Sequence, residues 1–218
     1  MQKIKVNFAD FYASFKKTDN DFYNILSKHF DVEISEEPDY LFYSCMGFEH
    51  LKYDCIKIFY TGECETPDFN LCDYAIGFDY MDFGDRYLRF PLYRLFSYRN
   101  ELLNIENQND DTGRTEFCSF VVSNDLGTTR RKEMFELLST YKRVDSGGRY
   151  LNNVGGAVKD KFSFDKKHKF SIVFENCIYP GYTTEKIMQA FVAGTIPIYS
   201  GDPMIAREFN TNAFVICC

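Results

Sequence analysis

The chain has 218 residues, which is enough for one large domain or for two small ones. Its net charge of −7 argues against nucleic acid as the main partner, because binding to a phosphate backbone needs a basic face. The sequence contains no run of about 18 apolar residues, so no transmembrane helix is expected. Residues 1–10 lack the apolar core of a signal peptide. A cytoplasmic location is therefore expected.

Short apolar runs alternate with polar stretches in the first half of the chain. A helix is predicted over residues 20–30, where apolar residues recur at helical spacing. The predicted strands are residues 4–8, 32–34, 40–43, 55–60 and 74–78. Strands that alternate with helical stretches favour an α/β fold, in which helices cover a parallel sheet. The polar segment 104–116 is predicted to be a linker or an exposed loop.

The second half repeats this alternation more clearly. Strands are predicted at residues 117–123, 170–174 and 196–199, with helices at 130–141 and 184–193 between them. The first helix is predicted to turn one apolar stripe inward, formed by Met134, Leu137, Leu138 and Tyr141. Gly194 is placed to cap the second helix. This β-α-β-α-β order is the half-unit of a Rossmann-like domain.

Cations stand at the start of both helices in the second half. Arg130 and Arg131 open the first helix, and Lys186 lies in the first turn of the second. A helix N-terminus favours anions by roughly 0.3–1 kcal/mol, so cations there are mildly unfavourable. Two explanations stay open at this point. The cations are solvated surface groups, or they join the free backbone N–H groups in binding a diphosphate.

Metal-binding and common nucleotide-binding motifs are missing from the sequence. There is no CxxC, and no histidine stands at zinc-like spacing from a cysteine. Neither a GxGxxG nor a GxxxxGK[ST] pattern occurs. Asp79 and Asp82 have the wrong spacing for a DxD motif that would hold a metal. No bound metal is therefore predicted.

Several segments, in one order, carry a family resemblance. The second half contains residues 174–177 (FENC), 181–187 (GYTTEKI) and 196–203 (IPIYSGDP). The first half contains residues 59–63 (FYTGE), 73–78 (DYAIGF) and 86–91 (RYLRFP). Together with Ser123, Asn124 and Arg130, they resemble the α-1,3/1,4-fucosyltransferases of glycosyltransferase family 10, bacterial type. The resemblance covers nearly the whole chain, although Ser200 stands where the family usually has Trp.

The resemblance implies two Rossmann-like domains that face each other across a cleft, the GT-B arrangement. Residues 1–112 would form the acceptor-side domain, and residues 113–218 the domain that binds the GDP-sugar donor. Family members continue for several more helices beyond this point. The second domain is therefore expected to be incomplete, truncated at its C-terminal end.

The function implied by the resemblance is inverting transfer of L-fucose from GDP-fucose. The acceptor would be a GlcNAc hydroxyl of a β-galactosyl-GlcNAc type glycan, with 1,3 and 1,4 linkage both open. Arg130 and Lys186 would hold the diphosphate, and Glu185 the ribose hydroxyls. Asn176 and Tyr182 would line the nucleotide pocket. GDP-fucose is the donor substrate, and no cofactor is required; a divalent metal would at most stimulate the reaction, without being a bound ligand.

Glu63 is the expected general base, because it directly follows Tyr-Thr-Gly as in the family. Glu65, two residues further on, is its rival for that role. The alternative function is a truncated, inactive fucosyltransferase-like domain that at most binds a GDP-sugar. Peripheral membrane association is expected only through a C-terminal region of the kind found in bacterial members.

Overall fold

Two units make up the chain, Met1–Leu95 and Phe96–Cys218. The computed structural model describes residues 1–95, 113–123, 125 and 129–217. Most of the predicted linker at 104–116 therefore lies outside the described residues, as do Asn124 and most of the loop that follows it. In the part of the chain that is described, no helix is long and apolar enough to cross a membrane.

Unit 1 is built on one six-stranded sheet in which every neighbouring pair of strands is parallel. The order across the sheet is β2-β1-β3-β4-β5-β6. The strands are β1 (Lys3–Ala9), β2 (Asp31–Ile34), β3 (Tyr40–Tyr43), β4 (Ile56–Tyr60), β5 (Tyr74–Gly77) and β6 (Tyr87–Arg89). All five predicted strands are present. The sixth has only three residues and was not predicted, because so short a strand leaves no readable alternation.

Apolar side chains cover both faces of this sheet. Successive residues of a strand point to opposite faces, so Phe42 joins one cluster with Val6 and Phe8, while its neighbours Leu41 and Tyr43 join the other. Helix α1 (Asp21–Leu26) is shorter than predicted and begins at Asn20, whose side chain accepts a hydrogen bond from the Tyr23 N–H. Single 3-10 turns complete the unit, at Glu49–Lys52, Gly84–Arg86 and Leu92–Arg94.

Unit 2 is built on a five-stranded sheet, again parallel at every pair, in the order β11-β10-β9-β7-β8. The strands are β7 (Glu116–Phe120), β8 (Val144–Ser146), β9 (His168–Phe174), β10 (Ile196–Ser200) and β11 (Val215–Ile216). The helices are α2 (Arg130–Tyr141), α3 (Lys161–Asp165) and α4 (Glu185–Val192), with 3-10 turns at Ile205–Arg207 and Thr211–Ala213. The predicted β-α-β-α-β order is confirmed, and the short elements β8, α3 and β11 add to it.

Helix α2 is rotated from the predicted orientation. Leu137 and Tyr141 were expected to face inward, but they are 65% and 80% exposed. The residues that pack on the core of the sheet are Met134, Phe135 and Leu138. Arg131 is also buried; it lies three, four and seven residues before these side chains and so shares their face.

Helix α4 has the predicted orientation. Ile187 and Ala190 are fully buried against the sheet. Gly194 has a φ of +70°, and its N–H donates to the Phe191 carbonyl at 2.8 Å, so it ends the helix as predicted. Because all five strands are parallel, the loops that lead into α2 and α4 leave the sheet at its carboxyl edge.

Candidate active site

A buried carboxylate joins the end of β9 to the start of α4. Glu175 follows β9 directly and is only 2% exposed. Its carboxylate accepts hydrogen bonds from the Thr184 N–H at 2.8 Å and the Thr184 hydroxyl at 2.7 Å. The Nζ of Lys186 donates to the same carboxylate at 3.0 Å. A buried charge needs such partners, so these bonds fix the first turn of α4 against the sheet.

A second buried carboxylate holds the loop before α4. Asp202 follows β10, and its Oδ1 accepts from the N–H groups of Gly181 and Met204, both at 2.7 Å. Its Oδ2 accepts from the Thr183 hydroxyl at 3.3 Å. Gly201 is required beside it, because a Cβ at this position would lie 2.5 Å from Cγ of Glu175. The two carboxylates together fix the loop that carries Tyr182.

Arg131 reaches the end of β9 from the first turn of α2. Its guanidinium donates to the Phe174 carbonyl at 2.9 Å and to Oδ1 of Asn176 at 2.6 Å. Burial lowers the pKa of Arg131, while the nearby carboxylate of Glu175 acts in the opposite direction. An arginine side chain nonetheless stays protonated in proteins, so a fixed positive charge lies at this edge of the sheet.

Arg131, Asn176 and Lys186 line a cavity of about 390 Å³ within unit 2. Its polar lining consists of Ser123, Arg131, Lys161, Asn176, Glu185, Lys186 and Gln189. Three of these groups are cations, and only Glu185 is an acid. A cationic cavity at the start of a helix, outside the carboxyl ends of parallel strands, suits an anionic ligand such as a diphosphate. Among the residues that the structure describes, no group of His, Cys, Asp or Glu side chains is placed to hold a metal ion.

The candidate base in unit 1 lies in the turn after β4. The Glu63 N–H donates to the Thr61 hydroxyl oxygen at 3.1 Å, and the Glu65 N–H donates to the Glu63 carbonyl at 2.9 Å. Thr61 itself is buried, whereas Glu63 and Glu65 are both exposed. The backbone of the turn is therefore held in place, and both carboxylates are open to solvent.

Family models and a solved structure decide which proteins the chain is related to. Residues 6–96 match the N-terminal domain of alpha-(1,3)-fucosyltransferase FucT, and residues 112–217 match the C-terminal part of glycosyltransferase family 10 (fucosyltransferase). The structure of this chain is similar to the crystal structure of an alpha1,3-fucosyltransferase with GDP-fucose, with a TM-score of 0.83 and 32% sequence identity. The aligned region covers 99% of this chain and 74% of the fucosyltransferase chain. The chain belongs to the family 10 fucosyltransferases.

Relatives within the family are longer than this chain. The alpha-(1,3)-fucosyltransferase FucT of Helicobacter pylori is 36% identical over 233 residues, which cover 88% of this chain and 48% of that enzyme. A 3-galactosyl-N-acetylglucosaminide 4-alpha-L-fucosyltransferase of Bos taurus is 31% identical over 108 residues, which cover 49% of this chain and 27% of that protein. The chain thus spans about half the length of the first of these fucosyltransferases and less of the second.

The structure brings together three of the five donor-site residues predicted from the family motif. Asn176, Glu185 and Lys186 line the same cavity. Arg130 is exposed and lines a neighbouring cavity of about 340 Å³ with Glu133, Met134, Leu137, Phe174, Ser200 and Cys217. Tyr182 is 2% exposed, within the loop that Asp202 holds. The functional roles of all five, and of Glu63, stay predictions.

The sequence interpretation did not include Arg131 or Glu175 among the predicted site residues. Arg131 was considered with Arg130 as a cation that could bind a diphosphate, but only Arg130 was assigned to the site. The spacing of Arg131 from Met134, Phe135 and Leu138 could have placed it on the inward face of the helix. Glu175 is the central letter of the FEN motif. Its burial under Lys186 depends on a contact eleven residues away, which no local pattern reveals.

Proposed function

We propose that the chain transfers L-fucose from GDP-fucose to a GlcNAc hydroxyl of a β-galactosyl-GlcNAc type glycan, with inversion at the anomeric carbon. The observation that carries this proposal is the cationic cavity of unit 2, which gathers Asn176, Glu185 and Lys186 at the carboxyl end of β9. The relative solved with GDP-fucose adds support, because its structure matches 99% of this chain.

Each donor-site residue has a role that suits its chemistry. Lys186 places an ammonium group beside the diphosphate, where negative charge grows as GDP leaves. Glu185 accepts hydrogen bonds from the ribose hydroxyls, and Asn176 and Tyr182 line the nucleotide pocket. The family motif assigns Arg130 to the diphosphate together with Lys186, although Arg130 lines the neighbouring cavity.

The reaction is a displacement at the anomeric carbon of fucose. The oxygen of the acceptor hydroxyl attacks that carbon, and the bond to the β-phosphate oxygen breaks. Glu63 takes the hydroxyl proton as general base, and GDP leaves with the electron pair of the broken bond. No metal ion is part of the proposed step, since the cations of the chain face the leaving group.

Two further features belong to the same proposal. The domain boundary is placed between residues 112 and 113, and the two domains adopt the GT-B arrangement that the family resemblance implies. The first domain would take the acceptor and the second the donor. Both linkages, 1,3 and 1,4, are compatible with the proposal.

The test is a transfer assay on the purified chain with GDP-fucose and a β-galactosyl-GlcNAc acceptor. We expect a fucosylated product whose linkage has the opposite anomeric configuration to the donor, as measured by NMR. GDP-mannose and UDP-galactose serve as control donors and should give no product. Calorimetric titration should show binding of GDP and much weaker binding of UDP. GDP binding without transfer would reduce the function to donor binding, and retention of configuration would overturn the mechanism.

A further inference from the structure

Lys161 lies where two cavities of unit 2 meet. One is the cavity of about 390 Å³ whose lining includes Glu185 and Lys186. The other, also of about 390 Å³, is lined in part by Lys159 and Asp165. Lys161 and Gln189 line both cavities. Lys161 is therefore a cation of the donor cavity to which the family motif assigns no role.

A buried carboxylate holds the ammonium group of Lys161. Its Nζ lies 2.9 Å from Oδ2 of Asp165, whose side chain is only 1% exposed. Among the described residues, no other side chain or backbone group donates a hydrogen bond to either oxygen of this carboxylate. A buried charge needs a partner, so Asp165 keeps the ammonium group in place. An ammonium group has three N–H donors, and the pairing with Asp165 leaves donors for a ligand.

Helix α4 indicates which part of a nucleotide would reach Lys161. Glu185 and Lys186 lie in its first turn, and Gln189 lies one turn further, on the same face as Glu185. Because Lys161 shares the second cavity with Gln189, it belongs to this far end of the donor cavity. A GDP with its diphosphate at Lys186 and its ribose at Glu185 would therefore direct its base toward Lys161, beside the apolar side chain of Val122.

The chemistry of an ammonium group distinguishes guanine from adenine. Guanine presents two neighbouring acceptors, O6 and N7, on one edge of the base. Adenine presents the N7 acceptor beside an amino group, which is a donor. Since an ammonium group can only donate, it is matched by both guanine atoms and opposed by the adenine amino group.

We propose that Lys161 is a specificity-determining residue that donates to O6 and N7 of the guanine base, and that Asp165 is the positioning residue that holds its ammonium group. This inference rests on the proposed function, which supplies the GDP-sugar. It deepens that function by naming the group that selects the base of the donor.

The test compares the dissociation constants of GDP and ADP for the full chain and for Lys161→Met, with calorimetric titration for GDP and displacement of GDP for ADP. The variant should bind GDP about tenfold more weakly or worse, the usual effect of losing a base-specific contact. Its affinity for ADP should change much less, so the preference for GDP over ADP should fall. Equal weakening of GDP and ADP would mean that Lys161 serves the diphosphate, and the inference would be wrong.

Lys159→Met is the matched control. It removes a cation two residues away that is exposed and lines only the second of the two cavities. Both affinities should match those of the wild-type chain. A loss of GDP preference as large as that of Lys161→Met would show a general effect of charge and would contradict the inference.

Asp165→Leu tests the positioning role, because it keeps Lys161 but removes its partner. The preference for GDP over ADP should fall by a smaller factor than in Lys161→Met, and a loss of stability alone would not change this ratio. Should Lys161→Met fail to fold with Asp165 unpaired, the double variant Lys161→Met/Asp165→Leu removes both charges and must show the same loss of preference. An unchanged ratio in the variants without Lys161 would overturn this inference alone. Absence of GDP binding by the wild-type chain would overturn the proposed function as well.

Discussion

Lys186 Nζ lies 3.0 Å from Oε2 of Glu175, a carboxylate whose side chain is completely buried. The lysine that stands at the unfavourable end of the α4 dipole is therefore already paired with an acid of its own chain. Its side chain is still 28% exposed and also lines the cavity, so it can serve a ligand and the carboxylate together. Neither of the two explanations drawn from the sequence included this internal partner.

The first prediction concerns the stability that Glu175 provides. Glu175→Gln keeps the size of the side chain but removes the charge that three donors share. We expect the free energy of unfolding to fall by about 2 kcal/mol or more, because hydrogen bonds to charged groups are each worth about 1.5–3 kcal/mol. Urea denaturation measures this change. The matched control is Glu136→Gln, which removes an exposed pair with Lys132 and should cost less than about 1 kcal/mol. Equal losses would contradict the prediction.

The sequence was a good guide wherever local pattern and chain order carry the information. The five longer strands of unit 1 and the alternation of unit 2 follow from apolar runs, and Asn176, Glu185 and Lys186 share a cavity because parallel strands bring their ends to one edge. Strands of two or three residues, such as β6 and β8, show too few side chains for a period to be recognised.

The rest of the site depends on contacts that the sequence does not encode locally. Leu137 was counted on the inward stripe of α2, yet it is 65% exposed, because the helix turns Phe135 and Arg131 toward the sheet instead. A helix usually buries its apolar side chains and exposes its cations, and α2 does the opposite at Leu137 and Arg131. The burial of Arg131 is explained by its hydrogen bond to Asn176, which the helix sequence does not reveal.

The second prediction distinguishes the two candidate bases. Glu63→Gln should lower kcat by about 10²–10⁴-fold, the usual contribution of a positioned general base. Its affinity for GDP should stay nearly unchanged, because the proposed diphosphate ligands belong to unit 2. Glu65→Gln should have a much smaller effect on kcat. Steady-state kinetics and calorimetry on both variants decide the matter, and the two roles must be exchanged if Glu65→Gln is the inactive one.

The third prediction concerns the carboxyl end of β1 in unit 1. The Asp10 side chain is 2% exposed and accepts from the N–H groups of Glu49 and His50, both at 2.9 Å, and from Nδ1 of His50 at 2.7 Å. Asp10→Ala leaves the buried His50 without this acceptor, so we expect a loss of about 2 kcal/mol or more in unfolding free energy. Asp19→Ala removes only an exposed pair with Lys16 and should cost less than about 1 kcal/mol. Thermal or urea unfolding of both variants measures these losses. Equal losses of unfolding free energy in Asp10→Ala and Asp19→Ala would contradict the prediction.

The last prediction concerns the pH dependence that Cys118 imposes on unit 2. Burial in the core raises the pKa of this thiol to about 12, whereas in the unfolded chain it should be about 8.5. Above pH 8.5 the unfolded state therefore releases a proton that the folded state retains, and the free energy of unfolding falls as the pH rises toward 12. Between pH 7 and pH 10 this single group should remove about 2 kcal/mol of stability.

Cys118→Val isolates the contribution of the thiol, because valine is of similar size and does not titrate. The free energy of unfolding of the wild-type chain should fall by about 2 kcal/mol more than that of the variant between pH 7 and pH 10, while contributions from other groups cancel in the comparison. The same burial predicts that iodoacetamide at pH 8 leaves Cys118 unmodified in the folded chain and alkylates it after unfolding, since the thiolate is the reactive species. Parallel pH profiles, or rapid alkylation of the folded chain at this residue, would contradict the burial of Cys118 in the core of unit 2.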